Sequence, residues 1–276
     1  MTSRFNTLIE PAGLADLLGA ASAARIIDCR ARLGDPGFGA RVFAEGHIPG
    51  AVLGDLDRDF AAAPGNRGRH PLPDPNGLLE RLRGWGINTT MQVVVYDDMG
   101  GMFAARAWWL LRWLGHDAVA VLNGGSPAWL AAGLPLETQV ANWSRGDFAR
   151  RPALTREIDA AGLLNNSTAS RVDARAEERF AGRKEPIDHT AGHIPGAVCI
   201  PAAGNLDATQ RFLSRNELAQ RFNGLSRELI CYCGSGVTAA HNILAMRIAG
   251  LDEPTLYPGS WSEWIEDKMR PIATDQ

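Results

Sequence analysis

One heptapeptide, Gly-His-Ile-Pro-Gly-Ala-Val, stands at 46–52 and again at 192–198, and this constrains the architecture more than any other feature of the chain. A match of that length is beyond chance and marks a duplicated structural unit. The other landmarks of the two halves follow in the same order. Arg25-Ile26-Ile27-Asp28 matches Arg171-Val172-Asp173, and Val93-Val94-Val95-Tyr96 matches Leu229-Ile230-Cys231-Tyr232. A helical stretch then carries Arg112 or Arg247, and each half closes on a tryptophan, Trp129 or Trp264. Short apolar runs alternating with helices describe a small α/β domain with a parallel sheet and right-handed crossovers. The reading predicts domains over 1–140 and 156–276 joined by a linker over 141–155, because Glu137–Leu154 is polar and carries Pro152 near its end.

The chain has 276 residues, 45% of them hydrophobic, which is enough for two packed cores of about 130 residues each. Its net charge of −3 offers no basic field, so neither nucleic acid nor an anionic membrane is an expected partner. Met1–Phe5 lacks the pattern of a secretory signal, and the apolar stretch Met102–Leu114 is broken by Arg106 and Arg112, so neither export nor a membrane span is predicted. Four cysteines in such a chain read as reduced thiols rather than a disulfide framework, which fits a cytoplasmic setting.

The halves differ at one place. Cys233-Gly234-Ser235-Gly236-Val237-Thr238 occurs once, between the apolar run Leu229–Tyr232 and a helical stretch over Ala239–Ala249. The thiol therefore falls in a strand-to-helix turn at the carboxyl edge of the sheet. Two glycines in four residues let successive N–H groups curl inward, and the helix start adds its positive end, so the loop favours an anion. A thiolate in that cup would be ionised near neutral pH and serve as a nucleophile without metal or cofactor. The other reading of Cys233 is a small buried core residue. Cys231 reads as core or as a partner for oxidised Cys233, and Cys29 and Cys199 read as core. An arginine six positions after the cysteine would support phosphatase chemistry; Ala239 stands there, so that reading is disfavoured. A zinc site from Cys231, Cys233 and a histidine lacks a second cysteine pair at ligand spacing.

With these residues in view, the chain resembles tandem-domain rhodanese-like sulfurtransferases along nearly its whole length. The resemblance rests on the two His-Ile-Pro-Gly-Ala elements, on Asn123-Gly124-Gly125 to Trp129 with its counterpart Pro258–Trp264, and on the single cysteine loop. It implies an α/β fold of two tandem rhodanese-like domains, each a small parallel sheet flanked by helices, with the active site at their interface. The first domain would be catalytically silent, with Asp97 or Asp98 at the cysteine's place.

The uncharged loop looks like the 3-mercaptopyruvate type, since the thiosulfate type carries basic residues after its cysteine. By that resemblance Cys233 takes sulfur from 3-mercaptopyruvate or thiosulfate as a persulfide and passes it to a thiol or cyanide, with thioredoxin as a candidate acceptor. Ser235 would relay a proton with His47 and Asp35, although a serine there also serves simply to bond the loop backbone. Arg179 would bind the donor's carboxylate, with Gly234, Gly236, Val237 and Thr238 forming the anion cradle. Where the animal enzymes carry a second arginine after Glu-Pro, this chain has Glu185-Pro186-Ile187, which leaves Arg183 to reach that carboxylate. A thiosulfate-preferring enzyme and a persulfide carrier or regulatory module are the competing readings.

The first half also holds an insertion, Pro64-Gly65-Asn66-Arg67-Gly68-Arg69-His70-Pro71. An insertion of this kind often serves a site, and Arg67 and Arg69 are candidates to line it, with solvated surface charges as the alternative. His193, the counterpart of His47, reads as tying down its own loop.

Overall fold

The computed structural model describes residues 4–19 and 24–275, so the reading of the N-terminus falls partly outside the described residues. The first sheet comprises β1 (Leu8–Ile9), β2 (Arg25–Asp28), β3 (Ala51–Leu53), β4 (Val93–Tyr96) and β5 (Val119–Leu122). The second comprises β6 (Arg156–Glu157), β7 (Ser170–Asp173), β8 (Ala197–Cys199), β9 (Leu229–Tyr232) and β10 (Thr255–Leu256). Strand order is β1-β5-β4-β2-β3 in one and β6-β10-β9-β7-β8 in the other, the same topology twice, and the pairings are parallel throughout.

Local sequence explains the strands. Val93, Val94 and Val95 are fully buried, as expected for a central parallel strand covered by helices on both faces. The helix Ala104–Trp113 that follows is buried at all ten positions. Its counterpart Thr238–Ala249 ends at Gly250, whose φ of 82° is the left-handed cap that a glycine adopts without strain.

The repeated heptapeptide is held by the same network in each copy. The Ile48 N–H donates to the Tyr96 hydroxyl, which donates to Asp28; Arg30 bonds Asp28 and the Gly46 carbonyl. In the second copy the Ile194 N–H donates to Tyr232, and Arg175 bonds Asp173 and the Gly192 carbonyl. His47 stacks on Phe43 and His193 on Phe180, each with Nδ1 against that phenylalanine's carbonyl. These contacts tie the heptapeptide to its sheet and account for its persistence in both halves.

The chain divides into two compact units that are not continuous in sequence. Unit 1 is Met1–Ala62, Pro73–Leu154 and Ala208–Phe212; unit 2 is Ala63–Leu72, Thr155–Asp207 and Leu213–Gln276. The stretch read as a linker differs from that expectation, because 141–154 belongs to unit 1. Phe148 is buried there, Gly146 N–H donates to the Arg83 carbonyl, and Arg25 lies 3.5 Å over the Trp143 ring. The inserted segment 63–72 is grouped with the second sheet although it comes from the first half. Among the described residues no helix is long and apolar enough to cross a membrane.

Candidate active site

Cys233 follows directly on β9, and its loop is pinned from the far end of unit 2. The Cys233 N–H donates to Ser260 Oγ at 3.1 Å, Trp261 N–H donates to the Cys233 carbonyl, and Ser262 N–H donates to that of Gly234. Ser260 holds a φ of 54°, a conformation a non-glycine residue adopts only when its surroundings impose it. Its hydroxyl donates in turn to the Tyr257 carbonyl. Gly236 has a φ of 76°, and a Cβ there would lie 2.5 Å from the Pro258 carbonyl oxygen, so only glycine fits. Val237 is buried and Thr238 opens the helix behind the loop.

Ser235 is buried, with its Oγ 2.7 Å from Nδ1 of His70, itself 7% exposed. The histidine at this serine is therefore the one from the inserted segment, which the sequence reading passed over. The usable signal was the insertion itself, whose arginines drew attention while its histidine did not. His47 belongs to unit 1, is fully buried, and has Nδ1 2.8 Å from the Phe43 carbonyl and Nε2 3.2 Å from that of Gln139. It serves the heptapeptide network. Asp35, also of unit 1, lies on the surface in an ion pair with Arg41, which lowers its pKa.

Two guanidinium groups gather over Gly234. A Cβ built on that residue would lie 2.8 Å from Arg69 Nη2 and 3.6 Å from each Nη of Arg179. Both arginines pair with Asp188, Arg179 at 2.9 Å, and Arg179 Nε also bonds both oxygens of Glu185 at 3.0 Å. Burial works to raise Glu185, but the bonds from Arg179 and the Asp188 and Ile187 N–H groups outweigh it and hold the carboxyl below its usual range. Asp188 is shifted upward, chiefly by burial. Arg183 is exposed, with its backbone N–H donating to the Glu178 carbonyl, and the groups over Gly234 are those of Arg69 and Arg179.

The sulfur is well covered. Cys233 is 2% exposed. A cavity of about 510 Å³ in unit 2, lined by residues such as Arg67, Glu157 and Glu263, does not include Cys233. Cys231 is fully buried, and desolvation together with the neighbouring Cys233 pushes its thiol well above the usual range. Cys29 is likewise raised by burial; Cys199 is half-buried and pushed up to about 12. All four cysteines are free, and among the described residues no three His, Cys, Asp or Glu side chains are grouped to hold a metal ion.

The rhodanese-like domain family matches residues 10–132 and 159–267, and the chain belongs to that family in two tandem copies. It is 52% identical over 260 residues to a Pseudomonas aeruginosa protein named "Probable 3-mercaptopyruvate sulfurtransferase", covering 90% of this chain and 92% of the relative. It is 38% identical over 286 residues to a Mycobacterium tuberculosis protein named "Putative thiosulfate sulfurtransferase SseB", covering 99% and 98%. Among solved structures, the 3-mercaptopyruvate sulfurtransferase from Leishmania major superposes with a TM-score of 0.86 at 31% identity, over 97% of this chain and 76% of that one.

Proposed function

We propose that this sulfurtransferase takes sulfur from 3-mercaptopyruvate and delivers it to a thiol or cyanide through a persulfide on Cys233. The Cys233 thiolate attacks the donor's sulfur and the carbon–sulfur bond breaks. Its electron pair leaves on carbon as the enolate of pyruvate, which takes up a proton. An acceptor thiolate or cyanide then attacks the outer sulfur and restores the Cys233 thiolate, so the cycle is ping-pong covalent catalysis. Ser235 and His70, rather than Ser235 with His47 and Asp35, carry the proton to the departing carbon. Arg179 holds the donor's carboxylate, while Gly234 and Gly236 let the loop approach it closely.

The observation that carries this reading is the 2.7 Å contact between His70 and Ser235, two residues from the sulfur, in a loop with no charge of its own. Simple delivery of a bound persulfide would need only the thiol. Thiosulfate is the second donor to test, because paired guanidinium groups also suit a sulfonate. Thioredoxin and small thiols are the acceptors proposed, in a reducing cytoplasm that suits four free cysteines. Incubation with each donor plus cyanide is expected to yield thiocyanate, with none formed by Cys233→Ala. Absence of turnover with both donors would overturn the enzyme reading.

A further inference from the structure

We propose that Ser260 is a positioning residue for the nucleophile: its hydroxyl holds the Cys233 N–H, and through it the cysteine loop, in the arrangement that presents the sulfur in both half-reactions. The inference rests on the reading that Cys233 carries the sulfur, and it names the residue that keeps this thiol in place.

Three consecutive residues bracket the loop. Ser260 Oγ accepts the Cys233 N–H at 3.1 Å, Trp261 N–H donates to the Cys233 carbonyl at 2.9 Å, and Ser262 N–H donates to the Gly234 carbonyl at 2.9 Å. Both backbone polar groups of Cys233 are therefore fixed from one short segment. That segment is itself anchored, because Tyr257 N–H bonds the Cys231 carbonyl and Trp261 Nε1 the Thr190 carbonyl, each at 2.9 Å. The Ser260 hydroxyl donates its single proton to the Tyr257 carbonyl at 2.9 Å, which leaves its oxygen as an acceptor for the Cys233 N–H.

The first copy shows what the fold needs without this chemistry. Gly125 stands in the place of Ser260 and Pro127 in that of Ser262, so neither the hydroxyl nor the last N–H exists there. Of the three bonds, the first copy has its equivalent of the middle one, from Ser126 N–H to the Asp97 carbonyl. Asp97 holds its loop instead through four N–H groups on its own carboxylate. A cysteine that must form and break a bond to sulfur cannot also scaffold its own loop, and the external serine does so. The backbone is strained to allow it. Ser260 is fully buried at a φ of 54°, a conformation that Gly125, at 58°, adopts without a side chain to clash. A serine in a glycine conformation is explained by its hydroxyl.

The test separates hydroxyl from strain by comparing Ser260→Gly, Ser260→Ala and Ser260→Thr in the full chain. Ser260→Gly loses the hydroxyl but relieves the backbone, so its Tm stays close to wild type and above that of Ser260→Ala. Its kcat with 3-mercaptopyruvate and cyanide is nonetheless expected to fall about tenfold to a hundredfold, with the donor's KM little changed, because the sulfur is misplaced while the donor's anchor is intact. Ser260→Thr keeps the hydroxyl on a β-branched residue that this φ strains further, so it has the lowest Tm and yet recovers most of the kcat. A merely structural serine would make activity follow stability, with Ser260→Gly the most active variant. That order, or an unchanged kcat in Ser260→Gly, overturns the proposal. Should the threonine variant fail to fold, the other two decide, since they are expected to lose kcat alike while differing in Tm.

A second measurement reads the same loop without the donor. Inorganic polysulfide cedes one terminal sulfur to the Cys233 thiolate and leaves one atom shorter, and cyanide then discharges the persulfide as thiocyanate. Ser260→Gly is expected to discharge about tenfold more slowly than wild type. A wild-type chain that discharges polysulfide sulfur yet ignores both donors sinks the donor reading, while Ser260→Gly discharging at the wild-type rate sinks the positioning role.

Discussion

The residue after β4 is Asp97 and the residue after β9 is Cys233, the same position in two copies of one fold, and their surroundings differ in the way the proposed silence of the first copy and reactivity of the second require. Asp97 is fully buried, and its carboxylate accepts four backbone bonds from its own loop, from Met99 and Gly101 on one oxygen and Phe103 and Ala104 on the other. The first copy has therefore kept the anion-binding turn and filled it with its own side chain. At Cys233 the side chain is a sulfur, and the neighbouring charges, Arg69 and Arg179, come from elsewhere in unit 2. The closing turn differs in the same sense. Ser126 N–H bonds the Asp97 carbonyl as Trp261 N–H bonds that of Cys233. Gly125, at a φ of 58°, would place a Cβ 2.0 Å from the Asp97 oxygen, whereas Ser260 at nearly the same φ supplies the acceptor for the Cys233 N–H. On the proposed reading, the first copy is silent because its loop is occupied.

The contrast can be broken at several points. Cys233→Ala is expected to lower thiocyanate formation by about a thousandfold or more, because no other group replaces the covalent step. Asp97→Ala should leave persulfide formation by folded protein intact and cost about 3–5 kcal/mol in denaturant unfolding, since four buried N–H groups lose their charged acceptor.

His116 sharpens the comparison through pH. Burial lowers its pKa to about 4, while the same place before β10 in the second copy is Leu251. Above about 6.5 the ring is neutral folded or unfolded; between about 6.5 and about 4 only the unfolded chain takes the proton. Stability of the first copy should therefore fall by about 3 kcal/mol over that window and then level off, and His116→Leu should flatten the decline. A wild-type acid limb unchanged by the substitution would contradict this.

The two first-half histidines separate next. His70→Ala is expected to lower kcat about a hundredfold and alter its pH profile, while His47→Ala should lower Tm and leave the profile of the folded enzyme alone. The smallest effect belongs to Ser260→Ala, about 1–2 kcal/mol from removing the acceptor of the Cys233 N–H, read by thermal unfolding.

Much of this was legible in the amino-acid order because it is local or repeated. β2, β4 and β9 are short, largely apolar runs whose burial follows from their composition, β7 (Ser170–Asp173) is legible through its match to β2, and the cysteine loop announces itself by two glycines between a strand and a helix. What escaped depends on long-range packing. His47 and His70 are both first-half histidines, and only the grouping of 63–72 with the second sheet reveals which one meets Ser235. The polar stretch before residue 155 read as a linker because the burial of Phe148 and the bonds to Arg83 are set by partners far away in the chain. Asp188 carried no local signal, being one acid among several in a loop, and its meaning lies in the two guanidinium groups it joins.

A decisive experiment is to treat the intact protein with 3-mercaptopyruvate in the absence of acceptor and locate the added sulfur by peptide mass mapping. One sulfur atom on the peptide bearing Cys233, discharged by cyanide, is the expected result. Sulfur carried instead by Cys29, Cys199 or Cys231, or an unmodified Cys233 in protein that still turns over, would contradict it.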